Sequence, residues 1–347
     1  MELASPAVVQ TAFGAAGFAM NLKFEVDAQT RPHARLAAVT GASGFIGRHL
    51  VVALAQAGWR TRLLLRREPD VPQWRQLRPE VVVGSLGDEA ALARLVEGAD
   101  AVIHVAGIIK AARRADFFSV NSDATAMLAR TVLRFAPGAH FVLVSSLAAR
   151  EPLLSDYAAS KSAGEAAVLD IMGTRSTVLR PPVVYGPGDR ETLLFFQLAK
   201  ARVVPLLGGK DSLAAMIHAH DLVRLLVMLA AEPPCGKVLA AADGQPAGYR
   251  WDELLGAAAR AVGNTAPRFV RAPQSLLSGI ALVGDLSKAM GFASMLSSQK
   301  LRELRHPDWA VSPSELAQPE GWSPQFDLAA GFADAVAWYR ERGWLPR

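Results

Sequence analysis

An apolar run from Leu36 to Thr40 breaks into three glycines at three-residue spacing, Gly41, Gly44 and Gly47. It then resumes as Phe45-Ile46, Leu50-Val51 and Leu54, with helical periodicity. This pattern predicts a strand, a tight turn and a helix beginning near residue 45. A glycine at 41 permits the turn, one at 44 lets backbone approach a pyrophosphate, and one at 47 allows close helix–strand packing. Phosphates would then sit at the positive end of the helix dipole. An ordinary strand–helix turn could carry the same glycines, so this segment alone leaves both readings open.

The rest of the chain keeps alternating. Strand patterns fall near 36–40, 61–66, 80–83, 100–105, 141–145 and 175–180, and helical patterns near 45–57, 88–97, 116–135 and 157–171. Alternation of this kind predicts an α/β, doubly wound parallel sheet of the Rossmann type with a smaller C-terminal substrate lobe. A cofactor would lie across the carboxyl ends of its strands. On the helix near 157–171, Tyr157 and Lys161 are four residues apart and share a face. A tyrosine near its ordinary pKa of ~10 is a poor base, and a nearby ammonium favours the phenolate. Ser146, at the end of an apolar strand, could hydrogen-bond a substrate oxygen while Tyr157 moves its proton. Each residue also has an ordinary surface or turn reading when taken singly.

Taken in order, these segments resemble the extended short-chain dehydrogenase/reductase superfamily, the NAD-dependent epimerase/dehydratase type. The nearest branch is that of the dihydroflavonol reductases and 3β-hydroxysteroid dehydrogenases. The motifs are Thr40 to Gly47, Val102-Ile103-His104-Val105-Ala106-Gly107, Val120-Asn121, Ser145-Ser146, Tyr157 to Lys161, Arg180 to Asp189, and Ile217-His218-Ala219-His220-Asp221. The resemblance implies that Ser146 polarises the reacting oxygen, Tyr157 is the acid/base, Lys161 tunes it and holds the nicotinamide ribose, and Asn121 orders the site. It implies a cofactor groove of Gly41, Ser43, Gly44, Phe45, Ile46, Gly47, Ser85, Leu86, Val105, Ala106 and Gly107, with Tyr157, Lys161, Pro182 and Val183 bordering the nicotinamide. It divides the chain into an extension over 1–35, expected to be poorly ordered, a dinucleotide-binding domain over 36–185 and 214–242, and a substrate lobe over 186–213 and 243–347.

Cofactor preference is argued at the second strand. It ends in Arg66-Arg67 rather than an acid, and a guanidinium there suits a 2′-phosphate, so NADP is favoured over NAD. Ser85 stands where many relatives carry an aspartate. Reaction type follows from what is missing. Leu147-Ala148-Ala149 replaces the acid–base pair a dehydratase needs, and Arg180-Pro181-Pro182-Val183 lacks the asparagine usual in nucleotide-sugar epimerases. The expected activity is hydride transfer between NADP(H) and a secondary alcohol or ketone of an apolar or amphipathic substrate. The alternatives are an epimerase of a nucleotide- or lipid-linked sugar and a non-catalytic cofactor-binding subunit.

Composition narrows the setting. A net charge of +5 without a basic tail or an aromatic-interleaved basic run argues against nucleic acid as a partner. The lone Cys235 excludes an internal disulfide and points to a reducing, cytoplasmic compartment. Residues 272–296 are apolar with only Asp285 and Lys288 charged. Their charges and glycines argue against a spanning helix, leaving a packed helix, a greasy substrate wall or a surface resting on a membrane. His218-x-His220-Asp221 is read as a helix start rather than a metal site, because no third donor cluster lies nearby in sequence. A homodimer through helices 116–135 and 157–171 is expected by resemblance.

Overall fold

The computed structural model describes residues 34–68, 71, 74–289 and 297–346. The expected extension over 1–35 therefore lies almost wholly outside the described residues.

Seven strands form one sheet: β1 (Leu36–Thr40), β2 (Arg60–Leu65), β3 (Glu80–Val83), β4 (Ala101–His104), β5 (His140–Val144), β6 (Ser176–Arg180) and β11 (Lys237–Ala240). Their order is β3-β2-β1-β4-β5-β6-β11, and every pairing is parallel. All residues of β1, β4 and β5 are buried, which is what a sheet covered on both faces requires. Helices α1 (Phe45–Gln56) and α7 (Ala219–Ala231) cover one face, burying Leu50, Leu54, Leu222 and Leu226 against Val39 and Ile103. Helices α2 (Glu89–Val96), α4 (Ala124–Phe135) and α5 (Asp156–Met172) cover the other, with Leu92, Leu128 and Val168 against Ala38, Val102 and Phe141. The strand order reverses between β1 and β4, and a crevice opens there at the carboxyl ends of the strands.

The remaining elements lie outside this sheet, most of them towards the C-terminal part of the chain. β7 (Val183–Tyr185) pairs with β10 (Met216–His218), β8 (Val203–Leu206) with β13 (Arg268–Arg271), and β9 (Leu213–Ala214) with β12 (Tyr249–Arg250) and β14 (Asp308–Trp309). The core of the C-terminal lobe is aromatic. Tyr185, Phe196, Phe332 and Tyr339 are fully buried edge-to-face neighbours that join β7, α6 (Leu193–Ala199) and α11 (Leu328–Glu341), and Leu254 and Ala258 of α8 (Trp251–Val262) pack into the same cluster. Two further helices, α9 (Gln274–Ala289) and α10 (Ser298–Arg305), lie at its tip.

One predicted helix is interrupted. The segment near 116–135 is α3 (Arg114–Phe118), a π-helical turn over Ser119–Asp123, and then α4. The cause is local to Asn121, whose carbonyl meets α5 so closely that a Cβ at Gly164 would fall 2.3 Å from it. The widened turn lets Asn121 point inward, and π-turns of this kind concentrate at functional sites.

Candidate active site

The glycine turn is a cradle with no room to spare. Gly41 has φ +74°, and a Cβ there would lie 2.5 Å from the Ala106 nitrogen. A Cβ on Gly47 would come within 2.1 Å of the Gly41 carbonyl oxygen. The backbone following β4, Val105 to Gly107, is thereby pressed against the backbone following β1. Gly44 is the N-cap of α1, with no side chain capping the first turn and no acidic residue in it. The leading N–H groups of α1 thus remain available to an anion. Ser43 and Gly44 are exposed at this turn, with Phe45 and Ile46 half-buried beside them. The site fits the diphosphate of a dinucleotide.

Along the carboxyl edge, Arg66 follows β2 and Ser85-Leu86 follow β3. Arg66 and Ser85 are exposed, Leu86 half-buried. In the sheet order β2 stands three strands and β3 four strands from β5, which leads to Ser146.

On the other side of the crevice, three residues assemble around Lys161. Asn121 receives a hydrogen bond from the Ile108 N–H at 2.9 Å and donates to the Ile108 carbonyl at 2.9 Å and to Ser160 Oγ at 3.0 Å. A Cβ at Gly107 would lie 3.0 Å from Asn121 Oδ1 and 3.1 Å from Lys161 Nζ. Lys161 is buried and donates to the Val144 carbonyl at 3.1 Å. Asn121 therefore ties the loop after β4 to the helix bearing Tyr157 and Lys161.

Ser146 caps the short helical turn after β5, receiving the Ala148 N–H, and hydrogen-bonds Tyr157. Pro182 and Val183 flank the same mouth, Val183 with nearly half its surface free. Sequence reasoning expects the Lys161 ammonium to favour a phenolate at Tyr157. In the structure burial dominates and Tyr157 is pushed up to about 12, with the Ser146 hydrogen bond lowering it and the Glu303 carboxylate raising it. Burial also brings Lys161 down to about 8, against the upward pull of Glu165. At neutral pH Tyr157 is a phenol, a proton donor suited to a developing alkoxide, with Ser146 as second donor.

Two acids escaped the sequence reading. Glu165, four residues beyond Lys161, accepts from Ser145 Oγ and pairs with Arg180 through contacts of 2.9 and 2.6 Å. Its spacing after Tyr157 and Lys161 was the available signal. Glu303 of α10 is buried; Ser155, the N-cap of α5, donates to it, and Lys300 lies 2.9 Å away. No sequence signal marks that contact, since it depends on how the lobe closes on α5.

His218 is the N-cap of α7, and Asp221 in its first turn receives the Gln325 and Phe326 N–H groups, as expected of a helix start. The fold adds a donor the sequence neighbourhood lacks. Asp334 of α11 lies 3.3 Å from His218 Nε2, and with His220 these form a group whose ligand atoms are within 4.8 Å of one another. The group could hold a metal ion, and among the described residues neither His218 Nε2 nor the facing Asp334 Oδ2 has a hydrogen-bond partner.

The comparisons agree with this geometry. Residues 37–240 match the model of the NAD dependent epimerase/dehydratase family. The chain is 47% identical to ceramide reductase of Caulobacter vibrioides, over 89% of this chain and 96% of that protein. It is 29% identical to sterol demethylase protein B of Methylococcus capsulatus, over 88% and 99% of the two. Among solved structures, dTDP-glucose 4,6-dehydratase DesIV of Streptomyces venezuelae, with NAD and TYD bound, superposes with a TM-score of 0.65 at 23% identity, covering 90% of this chain and 99% of that one. The chain belongs to the NAD dependent epimerase/dehydratase family, as a nicotinamide-dependent oxidoreductase of the extended short-chain dehydrogenase/reductase type.

Proposed function

We propose that this enzyme reduces a ketone on a ceramide-like amphipathic lipid to the secondary alcohol, using NADPH. The observation that carries the chemistry is the pair of hydroxyls, Ser146 and Tyr157, beside the buried Lys161 at the carboxyl edge of the sheet. The substrate class rests on the 47% identity to ceramide reductase, which spans both the sheet and the lobe. A bound nicotinamide supplies the hydride; this chain supplies orientation and a proton. Ser146 and Tyr157 would hold the carbonyl oxygen, and the Tyr157 phenol would protonate it as charge develops. Lys161, held by the Val144 carbonyl, would bind the ribose.

NADP(H) is supported by Arg66, exposed at the end of β2 with no hydrogen-bond or ion-pair partner among the described residues. A guanidinium there meets a 2′-phosphate. Ser85 and Leu86 would border the adenine. A homodimer through α4 and α5 is supported by their packing side by side and by a shallow surface groove over Met127, Arg130, Arg134 and Phe135. A cytoplasmic location would supply the reduced cofactor and suits a lone free thiol, Cys235.

The test is turnover of NADPH with a keto-ceramide, with the product read by mass spectrometry. Stoichiometric loss of NADPH and formation of the alcohol support the reading. Conversion of a nucleotide- or lipid-linked sugar with no net cofactor consumption would replace it with epimerisation.

A further inference from the structure

The tip of the lobe gathers exposed apolar side chains on two neighbouring elements. Residues 272–284 contain no charged side chain, yet α9 buries only one stripe of them. Leu277 and Ala281 pack on Leu301 of α10 and on Leu207. The opposite side points outward, with Leu276 58%, Ile280 47% and Leu282 60% exposed. Leu276 and Ile280 are one turn apart and share a face. Immediately before α9, strand β13 is exposed along its whole length, with Phe269 at 36% and Val270 at 51%. Exposed apolar side chains gathered on two elements adjacent in the chain point to an interaction site.

The rim of the patch is cationic. Arg268 and Arg271 bracket Phe269-Val270, and the Arg268 N–H bonds the carbonyl of Arg202, which brings a third arginine alongside. None of the three side chains has a hydrogen bond or ion pair among the described residues, whereas Arg60, Arg62, Arg113, Arg114 and Arg180 are all paired. Unpaired arginines around outward leucine and isoleucine are the pattern of an interfacial helix on an anionic bilayer.

We propose that α9 and β13 form a peripheral docking surface for a membrane carrying anionic phospholipids. Aliphatic side chains would enter the acyl boundary and the three arginines would meet lipid phosphates. The same helix leads to the reaction centre. Asp285 of α9 accepts from the first residue of α10, Ser298, at 3.1 Å. α10 in turn grips the start of α5: Gln299 bonds Asp156 at 2.8 Å, Arg302 bonds the Leu154 carbonyl at 3.0 Å, and Ser155 donates to Glu303. Tyr157 lies within one turn of these contacts. Docking at α9 would therefore place the mouth of the active site against the layer in which an amphipathic substrate dissolves. This second step rests on the reductase reading; the docking itself does not.

The experiment is co-sedimentation of the full chain with phosphatidylcholine vesicles, with and without phosphatidylglycerol. Binding is expected only with the anionic lipid, and salt should release it. The double substitution Arg268→Glu/Arg271→Glu should weaken it at least ~25-fold, at about fivefold per arginine near such a surface. Leu276→Asp/Ile280→Asp should abolish it, with NADPH affinity and thermal midpoint unchanged because both positions face solvent. Equal binding to both vesicles, or binding untouched by either pair, would overturn the proposal. So would a wild-type dimer that Leu276→Asp/Ile280→Asp splits, since a second copy would then own the face. Vesicle binding without any ketone turnover would retain the docking surface and discard only the reductase reading.

Discussion

The carboxyl edge of the sheet and the tip of the lobe solve opposite problems. At the sheet edge the polar side chains around the reaction centre are tied: Lys161 to Val144, Asn121 to Ile108 and Ser160, and Glu165 to both Arg180 and Ser145. At the lobe tip, leucines and isoleucine face outward and arginines stand alone. Pre-organised donors lower a barrier only if they need no rearrangement. A surface meant to be covered later must instead stay unsatisfied until its partner arrives.

The largest effect should come from the tied region. Tyr157→Phe removes the proton donor and keeps the ring, so turnover should fall roughly a hundred- to ten-thousand-fold while cofactor affinity stays unchanged. Equal rates for the variant would show that the hydroxyl pair is not the reaction centre. Next is Gly47→Ala, where the added methyl meets the Gly41 carbonyl 2.1 Å away. Since backbone cannot yield like a flexible side chain, a loss of at least about 3 kcal/mol is expected in chemical denaturation. Gly58, whose Cβ direction is open, is a control at the other end of α1; its φ of +79° makes Gly58→Asn the tolerated choice.

Arg66→Ala probes the groove's outer end. It should raise KM for NADPH about tenfold to a hundredfold and leave NADH unaffected, because only the former carries the 2′-phosphate. A proportional loss with both cofactors would return Arg66 to the role of a surface cation.

The sheet was legible because its information is local. Periodicity in 36–40 and 141–145, three glycines and a four-residue spacing define strand, turn and helix without reference to distant chain. The expected strand ends fall within one residue at β1, β2 and β5. What stayed hidden depends on packing between distant segments. The π-turn at Asn121 follows from contact with Gly164, and the burial of Glu303 from closure of α10 on Ser155. Likewise, an apolar run such as 272–284 has the same sequence signature whether its helix is buried or bare. Only the arrangement of α9 on Leu207 and Leu301 shows that one stripe is covered and the rest is not.

Glu303 is where the two regions meet, and its substitution gives the smallest and most diagnostic effect. Its carboxylate raises the Tyr157 pKa, because a negative neighbour disfavours the phenolate. Glu303→Gln keeps the shape and a hydrogen-bond acceptor for Ser155 but removes the charge. In alcohol oxidation the phenolate is the base, so the rate climbs as pH rises toward the tyrosine's pKa. Lowering that pKa moves the climb to lower pH. In ketone reduction, where the phenol is needed, the same lowering brings the falling limb to lower pH, so at a fixed high pH oxidation gains and reduction loses. A purely structural Glu303 would change stability or KM and leave both limbs in place. Matched pH–rate profiles in the two directions therefore decide whether the lobe merely rests on α5 or sets the proton affinity of Tyr157.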